Sequence, residues 1–157
     1  SGHRPDKLPD KETGYTLPNP TYIHVCQQLE KHLADLKPTK AISGMALGVD
    51  QWAANICNKL KIPLIAAIPF EGQEKMWPEK SKKVYQSLLQ KASEKIVVCE
   101  GGYSAYKMQL RNEWMVNHCD ILLAVWDGSK GGTGNCVDYA MKKMGQERIV
   151  IINPKQI

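Results

Sequence analysis

Apolar positions recur along this chain in two alternating rhythms. Asn19-Pro20 suits a helix start, because Asn caps free amides and Pro fits the first helical turn. Ile23, Cys26, Leu29, Leu33 and Leu36 then return at helical spacing until Pro38 closes the segment. Lys40–Ser43 reads as a short strand, and Val49, Trp52, Ala53, Ile56, Cys57 and Leu60 trace a second helical stripe. Behind Pro63, Leu64–Ile68 (LIAAI) is an uninterrupted apolar run of the kind found in strands covered on both faces. The pattern goes on to predict a helix over about 78–92, a strand over 95–99, a helix over about 104–118 and a strand over 121–126. A last helix carries Val137, Ala140, Met141 and Met144 and ends at Gly145, before a final strand over 148–152.

Strands alternating with helices predict an α/β fold: a Rossmann-like, open, mainly parallel sheet with helices on both faces, in a single domain. The polar, proline-bounded segment 5–18 reads as an ordered surface loop or a flap. SGHRP (1–5) reads as the end of a strand, so a first strand is expected ahead of Ser1.

Composition narrows the class. With 157 residues, 43% apolar and 24% charged, the chain has the size and balance of one globular domain. No apolar stretch approaches the roughly 18 residues of a membrane span, and no signal-type segment opens the sequence. The five cysteines (26, 57, 99, 119 and 136) are scattered without CxxC spacing. They are expected to be reduced core residues of a cytoplasmic protein, with no metal site. The net charge of +5 is mild, and Lys75, Lys80, Lys82, Lys83, Lys91 and Lys95 crowd around one helix without interleaved aromatics. That pattern reads as a solvated face and gives thin support to nucleic-acid binding.

The unusual residues gather at one edge. SGHRP, SGMALGVD (43–50), IPFEGQEKMW (68–77), CEGGYSAYK (99–107) and WDGSKGGTG (126–134) all follow strands. In a parallel sheet they form the loops at the carboxyl ends, where open α/β folds bind ligands. The opposite connections (LKPTK, KLKIP, NHCD, GQER) are ordinary turns. Two of the strand-end loops run straight into helices, whose first amides are unpaired and favour an anion. Gly44, Met45 and Gly48 in one loop, and Gly131, Gly132, Thr133 and Gly134 in the other, are candidate backbone donors to phosphate. The alternative is a pair of tight strand–helix turns. Neither GxxxxGK[ST] nor GxGxxG in its dinucleotide context is present.

Arg4, Arg111 and Lys130 are candidate charges, and Asp50 or Asp127 candidate partners for ribose hydroxyls. Arg111 shares a helical face with Met108 and Met115, beside Asn112, and either snorkels or reaches toward phosphate. A Ser43/His3/Asp50 triad can be drawn, but no GxSxG elbow supports it. Trp77 either stacks on a base or covers the core.

Taken together, Gly2–Pro5 (GHRP), Ser43–Ala54 (SGMALGVDQWAA), Ile68–Glu74 (IPFEGQE), Tyr106–Asp120 (YKMQLRNEWMVNHCD) and Trp126–Ala140 (WDGSKGGTGNCVDYA) resemble the SLOG superfamily, named from the Smf/DprA and Lonely Guy proteins. Within it the chain is most similar to the YpsA-like branch. The resemblance implies a Rossmann-like fold whose first strand ends at GHRP and whose strand-end loops bind nucleotide-derived ligands. It adds Gly2, His3, Ser43, Pro69, Phe70, Asn112 and Gly128 to the candidate site. Lonely Guy enzymes cleave nucleoside monophosphates with a helix arginine and a glutamate just after a PGGxGT loop. Arg111 matches the arginine, but Val137 stands at the glutamate's place, with Asp138 one residue later. The expectation is therefore a sensor or sponge that holds a nucleotide, ADP-ribose-like or nucleotide-sugar ligand without turnover and without a cofactor. The alternatives are a hydrolase of N-glycosidic or phosphate bonds that uses Arg111 and Asp138, and single-stranded nucleic-acid binding as in DprA-type proteins. Relatives that dimerise imply a homo-oligomer.

Overall fold

In the computed structural model, residues 1–156 are described. Its elements are α1 (Pro20–Leu36), β1 (Ala41–Ser43), α2 (Val49–Lys59), β2 (Leu64–Ile68), α3 (Glu79–Lys91), β3 (Glu94–Val97), α4 (Ala105–Asn117), β4 (Leu122–Val125), α5 (Gly132–Met144) and β5 (Ile149–Ile152). Every strand pair is parallel, with each crossover made by a helix: β1, β2 and β3 form one open sheet and β4 and β5 another. Gly2 adds a parallel bridge to Val125. The fold is α/β and Rossmann-like, as the sequence pattern predicts.

Alternation along the strands places helices on both faces. Leu122 and Ala124 of β4 pack with Val116 of α4 and Val137 of α5. Leu123 and Val125, pointing the other way, join the larger core with Val25, Leu29, Ile56 and Tyr85 of α1, α2 and α3. The LIAAI strand is buried at Leu64, Ala66, Ala67 and Ile68, as an inner strand covered on both faces should be. By contrast β3 is an edge strand, and Glu94, Lys95 and Val97 are exposed.

In α1, Asn19 caps as expected, its Oδ1 accepting from the Tyr22 amide. The buried stripe, however, is Thr21, Val25, Leu29 and Leu33, one i,i+4 ridge. Leu36, counted in the expected stripe, lies in the last turn and is 38% exposed.

The single sheet expected from the sequence is divided, because β1 and β4 share no ladder. Between them lies a largely apolar slot of about 470 Å³, with Ser1 among its lining residues.

The polar segment 5–18 is a structured loop tied to the body of the fold. Two 3-10 turns shape it (Pro5–Lys7 and Lys11–Thr13), and Leu8 is buried beneath it. The Tyr15 hydroxyl lies 2.6 Å from the Pro9 carbonyl oxygen and 2.8 Å from that of Leu8. Asn19 Nδ2 donates to Asp10 O, and Thr21 Oγ1 donates to Asp10 Oδ2. Tyr15→Phe should therefore lower unfolding free energy by about 1 kcal/mol in a denaturant titration.

All five cysteines are free. Burial pushes the thiols of Cys26 and Cys57 up to about 11, so they are protonated at neutral pH. The lysines near α3 meet carboxylates at Lys82–Glu79 and Lys95–Glu71, as a solvated face would. Among the described residues, no helix is long and apolar enough to cross a membrane, and no His, Cys, Asp and Glu residues cluster in a metal-binding group.

Candidate functional site

The loop from β1 to α2 is built from the inside. Ser43 Oγ donates to the Asp50 carbonyl at 2.8 Å and accepts from the Met45 amide at 3.2 Å. Asp50 Oδ2 accepts from the Ala46 amide, and Gln51 Nε2 donates to Met45 O. The amides of Met45 and Ala46 are thus engaged within the loop.

The Gly44 carbonyl faces Arg111, which α4 carries into the core at 4% exposure. Arg111 Nη1 donates to Gly44 O at 2.6 Å and, more weakly, to Ala67 O at 3.4 Å, while Nε donates to Asn112 Oδ1 at 3.0 Å. Gln73 Nε2 adds a second donor to Gly44 O. Burial pushes the guanidinium pKa down and the nearby Asp50 carboxylate opposes the shift, so Arg111 stays a cation at neutral pH. Here lies the reason for a glycine at position 44. A Cβ there would sit 2.5 Å from Arg111 Nη1 and 2.9 Å from Asp50 Oδ2. The room beside Gly44 belongs to an arginine rather than to a ligand.

The second loop joins β4 to α5. Trp126 Nε1 donates to Ser129 O at 2.8 Å, and that carbonyl lies 2.9 Å from where a Cβ on Gly134 would be. No side chain caps α5. Its first helical bond is Asn135 N to Gly131 O, which leaves the amides of Gly132, Thr133 and Gly134 without helical partners. Asp127 is fully engaged elsewhere. Its Oδ1 accepts from the Ser129 amide at 3.0 Å and lies 2.9 Å from His3 Nε2, and Lys155 Nζ reaches Oδ2 at 3.0 Å. Hydrogen bonds from Ser129, with help from Lys155 and His3, hold this carboxyl well below the usual range.

These parts enclose a polar pocket of about 290 Å³ at the carboxyl edge. One wall is the Ser1–Arg4 stretch with Asp6 and Lys7; the others are Ala46 and Asp50 at α2, Met108, Arg111 and Asn112 on α4, and Gly132 and Thr133 at the start of α5. Three cations thus face two carboxylates, one of which already holds the Ala46 amide. The larger slot between the sheets is apolar and shares only Ser1 and Asp50 with this pocket, so polarity and the helix start make the smaller cavity the candidate site.

A family model described as the YspA SLOG family matches residues 18–157. The chain belongs to this SLOG family. It is 37% identical to the uncharacterized SPbeta prophage-derived protein YoqJ of Bacillus subtilis, over 80% of this chain and 85% of that one. It is 35% identical to a UPF0398 protein of Halalkalibacterium halodurans, over 68% and 59% of the two chains. A UPF0398 protein of Bacillus thuringiensis is 32% identical, over 67% and 60%. The match thus spans about three fifths of the length of these UPF0398 relatives.

Of the residues that sequence reasoning singled out in this SLOG chain, Gly2, His3, Arg4, Asp50, Arg111, Asn112, Gly132 and Thr133 line the pocket. Others do not. Ser43, Gly44, Met45 and Gly48 build the first loop, and Met45, expected to donate to a ligand, donates to Ser43 instead. Pro69 and Phe70 are buried, with Phe70 packed edge-on against Tyr103. Gly128, Lys130 and Gly131 lie in the second loop and Gly134 in the first turn of α5, all off the pocket wall.

Asp127 is an anchor for His3, Ser129 and Lys155, not a free ribose partner. The Ser43/His3/Asp50 triad does not assemble, because His3 pairs with Asp127 and Ser43 with the loop backbone. Arg111 neither snorkels nor stands free. Its Nε and Nη1 hold Asn112 and backbone carbonyls, and Nη2 has no protein partner among the described residues. Asp138 faces solvent and is off the pocket, while Val137 is 1% exposed within the α5 core. Trp77 meets Tyr85 edge-on and covers the core.

Sequence reasoning missed Asp6 and Lys7 as lining residues. Their position directly after GHRP, at the ligand edge, was the available signal.

Proposed function

We propose that this protein binds a nucleotide-derived phosphate ligand in the polar pocket and holds it without turnover, as a sensor or sponge. The observation that carries the reading is the convergence at one spot of uncapped α5 amides with Arg4, Lys7 and Arg111. An anion there meets the positive end of the helix dipole and charge-assisted donors together. Thr133 adds a hydroxyl donor, and Asn112 offers an amide to a sugar hydroxyl. A volume near the lower end of the ~300–1,000 Å³ range of ligand sites favours a mononucleotide-sized group over a dinucleotide. The buried Val137 and solvent-facing Asp138 leave no carboxylate where Lonely Guy enzymes carry their glutamate, which supports capture over cleavage. Five unpaired cysteines suit a reducing compartment.

A thermal-shift panel of mononucleotides, dinucleotides and ADP-ribose, with chromatography of each mixture, tests this. A ligand at about 100 times its Kd should add roughly 2.7 kcal/mol and be recovered intact. Because Arg4 and Lys7 are exposed, Arg4→Ala with Lys7→Ala should weaken binding at least about tenfold with little effect on folding. No shift across the panel would sink the binding reading. A shift with the ligand consumed would sink only the claim of no turnover.

A further inference from the structure

The inner face of α4 is accounted for by packing, and its outer face is not. Arg111, Asn112, Met115 and Val116 are buried against the fold. At about 100° per residue, the side opposite them is centred on Leu110, with Tyr106 and Trp114 about 40° to either side. These three stand at i, i+4 and i+8, the spacing of one packing ridge. A helix face left to solvent carries polar residues, whereas this one carries a tyrosine, a leucine and a tryptophan. Tyr106 is 69% exposed, and Leu110 and Trp114 are half-buried. Among the described residues, none of the three belongs to either apolar core. The His118 ring stacks on Trp114 with centroids 4.1 Å apart, and its Nδ1 lies 2.7 Å from Trp114 O. The indole is thus held in place with its other side free of the core.

We infer that this ridge docks on the same ridge of a second copy, as an antiparallel α4 pair with its two-fold axis beside Leu110. The occupant follows from how the flanking residues are placed about that centre. Lys107 lies on the Trp114 side of the ridge and Glu113 on the Tyr106 side, each about 60° from Leu110. An antiparallel two-fold keeps each side facing itself and exchanges the ends of the helix. Leucine then meets leucine, Lys107 meets the partner's Trp114, and Tyr106 meets the partner's Glu113, the last two contacts each made twice. An ammonium on an indole face and a phenol hydroxyl on a carboxylate are both attractive. Parallel pairing would instead set Glu113 against the partner's indole, whose face is negative. The groups have capacity to spare. Lys107 Nζ uses one of its three donors on Gly102 O, and only Oε2 of Glu113 has a partner, Gln109. The same helix carries Arg111 on its inner face, so pairing braces the pocket wall, whether or not that pocket binds a nucleotide.

Sedimentation equilibrium of the protein and of Leu110→Glu and Leu110→Lys tests this. Each substitution sets like charges against each other at the axis and should weaken self-association at least about a hundredfold. An equimolar mixture of the two variants should recover at least about tenfold of that loss, because Glu then meets Lys only where position 110 meets itself. Circular dichroism checks that both variants stay folded. Should either unfold, Tyr106→Ala reads the same surface from an exposed position and should weaken association about tenfold. An unsubstituted protein that stays monomeric at about 100 µM would overturn the inference. So would folded Leu110 variants that associate as before, since the copies would then meet through another face. A mixture no tighter than either variant alone would overturn the two-fold at Leu110.

Discussion

Arg111→Ala should lower the unfolding free energy by about 3–5 kcal/mol, a large share of the roughly 5–15 kcal/mol available to a domain. The side chain is 4% exposed and fills the space between the β1–α2 loop and α4. Removing it leaves the Gly44 carbonyl with the longer Gln73 bond alone and strips the Ala67 carbonyl of its donor. It also opens a cavity where the guanidinium lay, and both effects act in the same direction. Arg111→Lys should recover little, because an ammonium cannot reproduce the planar fork that reaches Asn112 with one nitrogen and backbone carbonyls with another. Urea titration of the three proteins checks this. A loss below 1 kcal/mol for the alanine variant would mean that the arginine is dispensable to the fold.

Asp127→Asn should cost about 2 kcal/mol at pH 7, and the cost should shrink in acid. Hydrogen bonds from Ser129, Lys155 and His3 favour the charged carboxylate, holding its pKa below the ordinary value of 3.8. A carboxyl whose folded pKa is depressed contributes stability that is complete above the unfolded value. That contribution is lost as pH falls through the window between 3.8 and the lower folded value. The magnitude follows from hydrogen bonds to a charged group, at roughly 1.5–3 kcal/mol. Unfolding curves at pH 7, 4 and 2 for both proteins read it directly. A difference that stays constant across that range would show that the charge of Asp127 contributes nothing.

The fold was largely legible because its signals are local. Asn19-Pro20 marks a helix start through its own capping chemistry, and LIAAI needs cover on both faces wherever it lies. The glycine-rich loops fell at one edge because strand–helix alternation alone decides which ends of a parallel sheet they occupy. The site was legible in outline only. Which glycine admits a ligand and which makes room for a distant side chain depends on contacts 67 residues apart in sequence, as between Gly44 and Arg111. The same holds for Asp127, whose partners His3 and Lys155 come from opposite ends of the chain. Nothing in the spacing of WDGSKGGTG announces that its aspartate is an anchor. The stripe of α1 was misread for a related reason, since Ile23 and Val25 are equally apolar and only the packing of α1 on α2 chooses between them.

The fit between Gly44 and Arg111 also restricts how this chain can change over generations. Any side chain at position 44 collides with the guanidinium unless position 111 has first become smaller. Shrinking position 111 first leaves a buried carbonyl short of a donor and a hole beside a bare glycine. Each single step passes through a damaged protein, and only a simultaneous double replacement avoids it. The two positions are held together as one inherited unit.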